Sequence, residues 1–548
     1  MRARVSNGPL AAQAVSGTHS VLLGMDLDPA LTTDLMGFAI RRTDHTEGQR
    51  YWLRNQLGFR TSGTRDSYSS WDNPVQTFRW GDYTAKPAHD YTYEIRALAG
   101  TPSTLRPVAV QTVPISTGSY DTGTHGVVFN RGVIASQAYA ERFGNKQPDQ
   151  VANNAAYTWL SAGLAESMTA FIGQATGPGW ALRAAVYEFS WVPVLQAFGV
   201  AAAAGADVRI VADWTGSGPR DDTEKAAAAA GISSLISRRT HISIAHNKFV
   251  VLCKDGAPVA VWTGSTNVTE GGLFGQANVG HTVRDPAVAA KYLDYWNHLE
   301  DNPFQRDLKP WNDSRPTTPM KRLRQGTTAV FSPRSTVSAL DWYGSLADRA
   351  DAGVFLTAAF GISPQLMTVL TKDRDYLKYV LLDTDSGGAQ LTIRSADPDN
   401  QVTVGAVIGK GGWGQWIREV TLAANKHVRY IHTKFLLIDP LSDDPIVVTG
   451  SANFSKASTI SNDENMLVIR GDTEVADVYL TEFMRLFTHY EFRARVAAQP
   501  GSAGTASPGV TTGRRYLDSS STWVRRWYEA GSPRAKERQM FAGSRVTG

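Results

Sequence analysis

The segment "YIHTKFLLID", residues 430–439, puts His432 and Lys434 two apart and then runs into four apolar residues. On a strand, residues two apart share a face. The imidazole and ammonium are therefore expected to project together at the mouth of a buried strand. Residues 244–253, "IAHNKFVVLC", repeat the arrangement with His246 and Lys248, and carry Cys253 where the later copy has Asp439. Similar elements surround each copy. Ahead of the first, "WALRAAVYEFSW" reads as a strand, "VPVLQAFGVAAAAGA" as a helix and "DVRIVAD" as a strand. Ahead of the second come "GVFLTAAFGI", "PQLMTVLTKD" and "YVLLD" in the same order. The alternation predicts α/β structure with a mostly parallel sheet. The recurrence predicts an internal duplication, residues 125–300 and 327–495, joined by the Pro- and charge-rich stretch 301–326. "AAYTWLSAGLAESMTAFIGQA" has the spacing of one further helix.

Beyond the lysines come "GSTN" (264–267) and "GSANFS" (450–455). Gly-Ser-x-Asn supplies a tight turn, a hydroxyl and an amide, groups suited to anionic oxygens. Each half thus offers a histidine, a lysine, an asparagine (Asn267, Asn453) and a serine (Ser265, Ser451). Two such sets facing each other suit phosphodiester cleavage. The lysines and asparagines hold the non-bridging oxygens. One neutral imidazole attacks phosphorus, and the other, protonated, gives its proton to the leaving alkoxide. Zinc-ligand spacings are absent, so no catalytic metal and no cofactor are expected.

These motifs resemble those of the phospholipase D superfamily, HxK, four residues, Asp, then GSxN. His432, Lys434, Asp439, Gly450, Ser451 and Asn453 match in full. His246, Lys248, Gly264, Ser265 and Asn267 match apart from Cys253. "FNRGV" and "NDEN" extend the likeness over roughly residues 125–495. The resemblance implies two pseudo-symmetric halves packed face to face over one site, and a transiently phosphorylated histidine, which the family pattern places at His246. It also implies an acid or amide after each GSxN that orients a histidine. Glu464 is expected to serve His432, and Gln276 to serve His246. Five residues past its lysine, Asp439 or Cys253 faces away from the site, so Asp439 is expected to be structural and Cys253 harmless to the chemistry.

Residues 15–118 differ in texture. Short β-branched and aromatic runs such as "QTFRWGDY" and "YTYEIRALAG" alternate with turn residues, predicting an all-β sandwich. The pattern resembles a fibronectin type III module, with Trp80 as a core aromatic and a binding or spacing role. Residues 496–548 open as a flexible linker and end in a basic extension. From Arg514 onward the net charge is +5 within a total of +4, so the rest of the chain is near neutral. Such a tail meets phosphates or packs on the body. Trp413 and Trp416 in "GKGGWGQW" line an apolar lip or serve packing, and His241 reads as a strand or turn residue.

One cysteine excludes an intramolecular disulfide, and no apolar run of 18 residues is present to span a membrane. The first twenty residues lack an apolar h-region, so no signal peptide is expected; a cytoplasmic location is the default, with secretion open. The leading expectation is a hydrolase or transferase acting on phospholipid head groups at a membrane surface. A metal-independent nuclease and an inactive binding protein remain the alternatives.

Overall fold

The computed structural model describes residues 1–63, 65, 67–120, 122–132, 139, 142–144, 146–405, 431–497 and 516–544. Trp413, Trp416 and the "GKGG" stretch lie outside them. The N-terminal region forms two four-stranded antiparallel sheets that share one core, in which Phe78, Tyr91 and Tyr93 are buried. Trp80 only flanks that core, half-buried; Phe78 holds the central place expected of it.

The remainder is α/β. A seven-stranded sheet runs in the order His125–Phe129, Val279–Val283, Ala257–Gly264, Lys248–Lys254, Trp180–Val186, Asp207–Asp213, Ile236–Arg239. A second sheet runs Ile244–Ala245, Asn462–Arg470, Ile446–Gly450, Phe435–Ile438, Gly353–Ala358, Leu377–Leu382, Asn400–Val404, with Gly326–Ser332 also paired to Asn462–Arg470. Neither sheet is mostly parallel. The helix-connected strands pair in parallel, but each motif-bearing strand enters antiparallel to them and returns through antiparallel neighbours. The chain reaches each motif strand by crossing from the other sheet, and the hairpin that follows makes the next strand antiparallel.

Two helices fix the sheets together. Pro286–Glu300 starts at Asp285, whose carboxylate accepts from the amides of Ala287 and Val288, and buries Tyr292, Tyr295, Trp296 and Leu299. Those residues recur at three- to four-residue spacing and so form one apolar stripe. Thr473–Ala497 buries Tyr479, Leu480, Phe483, Phe487 and Tyr490 in a core that draws residues from both sheets. The helix expected over 155–175 is two, Ala155–Ser161 and Leu164–Ile172. Ala162 and Gly163 between them are left-handed, and glycine makes that conformation cheap.

The basic extension packs back on the body. Trp523 and Trp527 enter the N-terminal core, and Arg538 pairs with Asp26, Lys536 with Asp399 and Arg534 with Glu537. No helix among the described residues is long and apolar enough to cross a membrane.

Candidate active site

Each histidine stands where its chain crosses between the two sheets. Residues Ile244–Ala245 pair with Asn462–Asp463 of the second sheet, and from Lys248 the chain belongs to the first. In the other copy Ile431 bridges Ala277, and from Phe435 the chain belongs to the second sheet. The expected single strand carrying both His and Lys is therefore interrupted at the histidine. Crossing leaves backbone donors that the opposite half satisfies: His246 N donates to Asp463 O (3.0 Å) and His432 N to Ala277 O (3.1 Å). One residue earlier, the Ala245 amide donates to Asp213 (2.8 Å) and the Ile431 amide to Asp383 (2.9 Å). Asp213 ends, and Asp383 directly follows, the second parallel strand of its half, and burial holds the Asp383 carboxyl up at about 6.

The orienting partners are crossed as well. His246 Nδ1 lies 2.8 Å from Glu464 Oε2, and a carboxylate only accepts, so Nδ1 carries the proton. His432 Nδ1 lies 2.9 Å from Asn278 Oδ1; the Asn278 amide donates to Gly272 O, which fixes Oδ1 as the acceptor. This reverses the expected assignment. Glu464 serves the first-half histidine, and the amide partner belongs to His432. Among the described residues the Gln276 side chain bonds neither imidazole and is a distant acceptor, 3.4 Å from Asn278 Nδ2. Asn278 was legible in the spacing: it follows Ser265 at the offset by which Glu464 follows Ser451.

Those serines do not line an open face. Both are fully buried. Ser265 Oγ donates to Asn278 Oδ1 (2.8 Å) and Ser451 Oγ to Glu464 Oε2 (2.7 Å), so they hold the groups that hold the histidines. The motif glycines allow it. A Cβ on Gly264 or Gly450 would stand 2.1 Å from Val279 O or 2.2 Å from Asn465 O. Arg239, itself buried, pairs with Asp463 (2.8 Å) and ties the first half to the strand carrying Glu464.

His246, Lys248, His432 and Lys434 are all nearly buried. Lys248 Nζ donates to His246 O (2.8 Å), and Lys434 Nζ to His432 Nε2 (2.9 Å). Burial pushes His246 down to about 4, against the pull of Glu464. Burial, with the charges of Lys434 and Lys248 behind it, holds His432 well below its ordinary value. The lysines are lowered for the same first reason, Lys248 to about 8 and Lys434 well below its ordinary value. Burial would raise Glu464, but His246 and Lys248 beside it keep its carboxyl below the usual range. The arrangement offers two imidazoles held toward their neutral forms beside two buried lysines, a setting that favours an entering anion.

Asn267 Nδ2 donates to Glu188, and the Oδ1 atoms of Asn267 and Asn453 are buried without partners among the described residues. Cys253 continues its strand and packs in the core, where burial raises its thiol. Asp439 accepts from the amides of Asp351 (2.9 Å), Ala352 (2.7 Å) and Gly353 (2.9 Å), a turn-holding task far from the imidazoles. His241 stacks on Phe304 in an exposed bend.

Residues 169–299 and 405–487 match the family model described as "Cardiolipin synthase, PLD-like domain". A search of curated proteins gives no match. Among solved structures, polyphosphate kinase of Porphyromonas gingivalis is 9% identical with a TM-score of 0.40. The match covers 59% of this chain and 48% of that one, so the chain spans about half of that kinase. Phosphatidylserine synthase of Haemophilus influenzae Rd KW20 is 11% identical over 60% of this chain and 85% of that one, TM-score 0.42. Nuc of Salmonella typhimurium, a phospholipase D family member, is 20% identical over 30% of this chain and 94% of that one, TM-score 0.23.

Proposed function

For a chain that matches a phospholipase D-like family model in both halves, we propose phosphodiester cleavage at the head group of a phospholipid, by hydrolysis or by transfer to an alcohol, through a phosphohistidine on His246. The observation that carries the reading is the unequal support of the two imidazoles. An imidazole phosphorylated at Nε2 while Nδ1 keeps its proton is cationic, and Glu464 lies against that proton. His432 has an amide in the same place, which orients the ring without holding it charged. The phosphodiester anion, seated between Lys248 and Lys434, offsets the cationic field that adds to burial in keeping His432 neutral, so that Nε2 of His432 takes up a proton from solvent as the substrate binds. His432 then protonates the leaving alkoxide, and afterwards takes a proton from the water or alcohol that attacks the phosphohistidine.

Lipid is favoured over nucleic acid because Arg534, Lys536 and Arg538 of the basic extension are already paired with carboxylates. Purified protein in chelator is incubated with phospholipid vesicles and, separately, with single-stranded DNA. The expected result is lipid cleavage abolished by His246→Ala and by His432→Ala. DNA cleavage with the same dependence establishes the nuclease instead. Turnover of neither substrate leaves a binding protein.

A further inference from the structure

The duplication makes the two halves comparable position by position, and at one further position, outside the motifs, their chemistry diverges. Val186 is paired with Lys248 across the first sheet. In the second sheet Leu356 is paired with Leu436; carried two residues along the antiparallel register, this sets Ala358 opposite Lys434. The residues that follow therefore correspond: Tyr187 with Ala359, and Glu188 with Phe360. Both pairs stand where the parallel strands end beside the histidines. The Tyr187 ring lies 5.0 Å from that of His246, and the Phe360 ring lies 6.0 Å from that of His432. Phe360 is 64% exposed, and Glu188 is partly exposed.

A carboxylate is an odd tenant for a site built to receive an anion. Glu188 is held there firmly. Its backbone oxygen accepts from Val268 N (3.0 Å), just after the GSxN turn, and its side chain accepts from Asn267. Burial lowers both Lys248 and Lys434; Glu464 and then Glu188 oppose that lowering, so Glu188 lies within electrostatic reach of both ammonium groups. It cannot contact the phosphoryl oxygens without repulsion. What it can receive is a group that donates hydrogen bonds or carries positive charge.

We propose that Glu188 is a specificity-determining residue that recognises a hydroxyl or ammonium donor on the alcohol part of the substrate, the head group that leaves or the alcohol that accepts. This rests on the phospholipid reading above and narrows it. The matching position, Phe360, gives the opposite rim an apolar face for the non-polar part of the same lipid. A chain selecting a donor-bearing head group discriminates against one of similar size that lacks it, because the carboxylate is then left without a partner.

The test compares kcat/KM on vesicles of phosphatidylethanolamine, phosphatidylglycerol and phosphatidylmethanol for wild type, Glu188→Gln and Glu188→Asp. Gln is isosteric and keeps the bond to Asn267 but loses the charge. The expected result is a fall of about 10-fold or more in the ethanolamine-to-methanol ratio for Glu188→Gln, a smaller fall in the glycerol-to-methanol ratio, and partial retention of both in Glu188→Asp. If Glu188 merely positions Asn267, all three lipids fall alike and the ratios stay within about twofold, which overturns the proposal while leaving the phospholipid reading intact. If wild type turns over none of the lipids, both fall together.

Discussion

Replacing Glu464 by Gln separates the two histidines. The carboxylate lies 2.8 Å from His246 Nδ1 and has no exposure. In the proposed first step His246 becomes a cation at Nε2, so the substitution removes a full negative charge centred about 4 Å from the developing positive charge. At an effective dielectric of about 20 that is worth about 4 kcal/mol, or about 10³ in rate. The assay is rapid mixing with bis(4-nitrophenyl) phosphate, whose leaving group needs no proton. Wild type releases nitrophenolate continuously. His432→Ala is expected to give a burst of up to one equivalent and then stall, because nothing activates water against the phosphohistidine. Glu464→Gln is expected to slow the burst itself by about 10³, and His246→Ala to abolish it. A Glu464→Gln burst within about fivefold of wild type refutes the role given to the carboxylate. A burst from His246→Ala with none from His432→Ala exchanges the two histidines.

Further outcomes follow from the same geometry. With His246 held down to about 4 by burial, the acid limb of kcat/KM is expected near pH 4 rather than 6.5, and in Glu464→Gln it moves lower still, since the group favouring the charged ring is gone. The unfolded chain takes up that proton near 6.5 and the folded chain near 4. His246 therefore makes stability fall as pH drops through this window, by about 2–3 kcal/mol, and urea melts of wild type should lose more between pH 7 and 4.5 than those of His246→Asn. Arg239→Met leaves Asp463 buried beside the site without its cation and is expected to cost about 3–5 kcal/mol in denaturant melts. The thiol of Cys253, the single cysteine, should be silent to a disulfide reagent in the folded protein and titrate as one equivalent once unfolded.

What was legible in the sequence was whatever the duplication wrote twice. The HxK and GSxN spacings recur in both halves, and the odd offset of Asp439 placed it away from the imidazoles, where it indeed binds three backbone amides. The antiparallel strands are not legible in the sequence, because the crossing between sheets and the hairpin return carry no periodic signal. The orienting partners were misassigned for a different reason. Each half read alone pairs Gln276 with His246, but the chain crosses sheets at each histidine, so each ring meets the segment that follows the other half's GSxN. Glu188 belongs to no motif and shows only when the registers of the two halves are laid side by side.

Crossing also bears on whether the departure at Cys253 disables the first half. Asp439 ends its strand by capturing the amides of the facing turn, whereas the strand Lys248–Lys254 continues through Cys253 and turns at Asp255 and Gly256, both with positive φ. The first half makes its turn later in the chain, without an aspartate at 253. His246 depends instead on the second half, through Asp463 O at its amide and Glu464 at its ring, just as His432 depends on Ala277 O and Asn278 of the first. Two copies of one motif would give two equivalent histidines and no reason for either to attack. In the proposed mechanism, a carboxylate at one of two matched positions and an amide at the other break that equivalence: Glu464 suits His246 to become a covalent cation, and Asn278 leaves His432 to pass a proton in both directions.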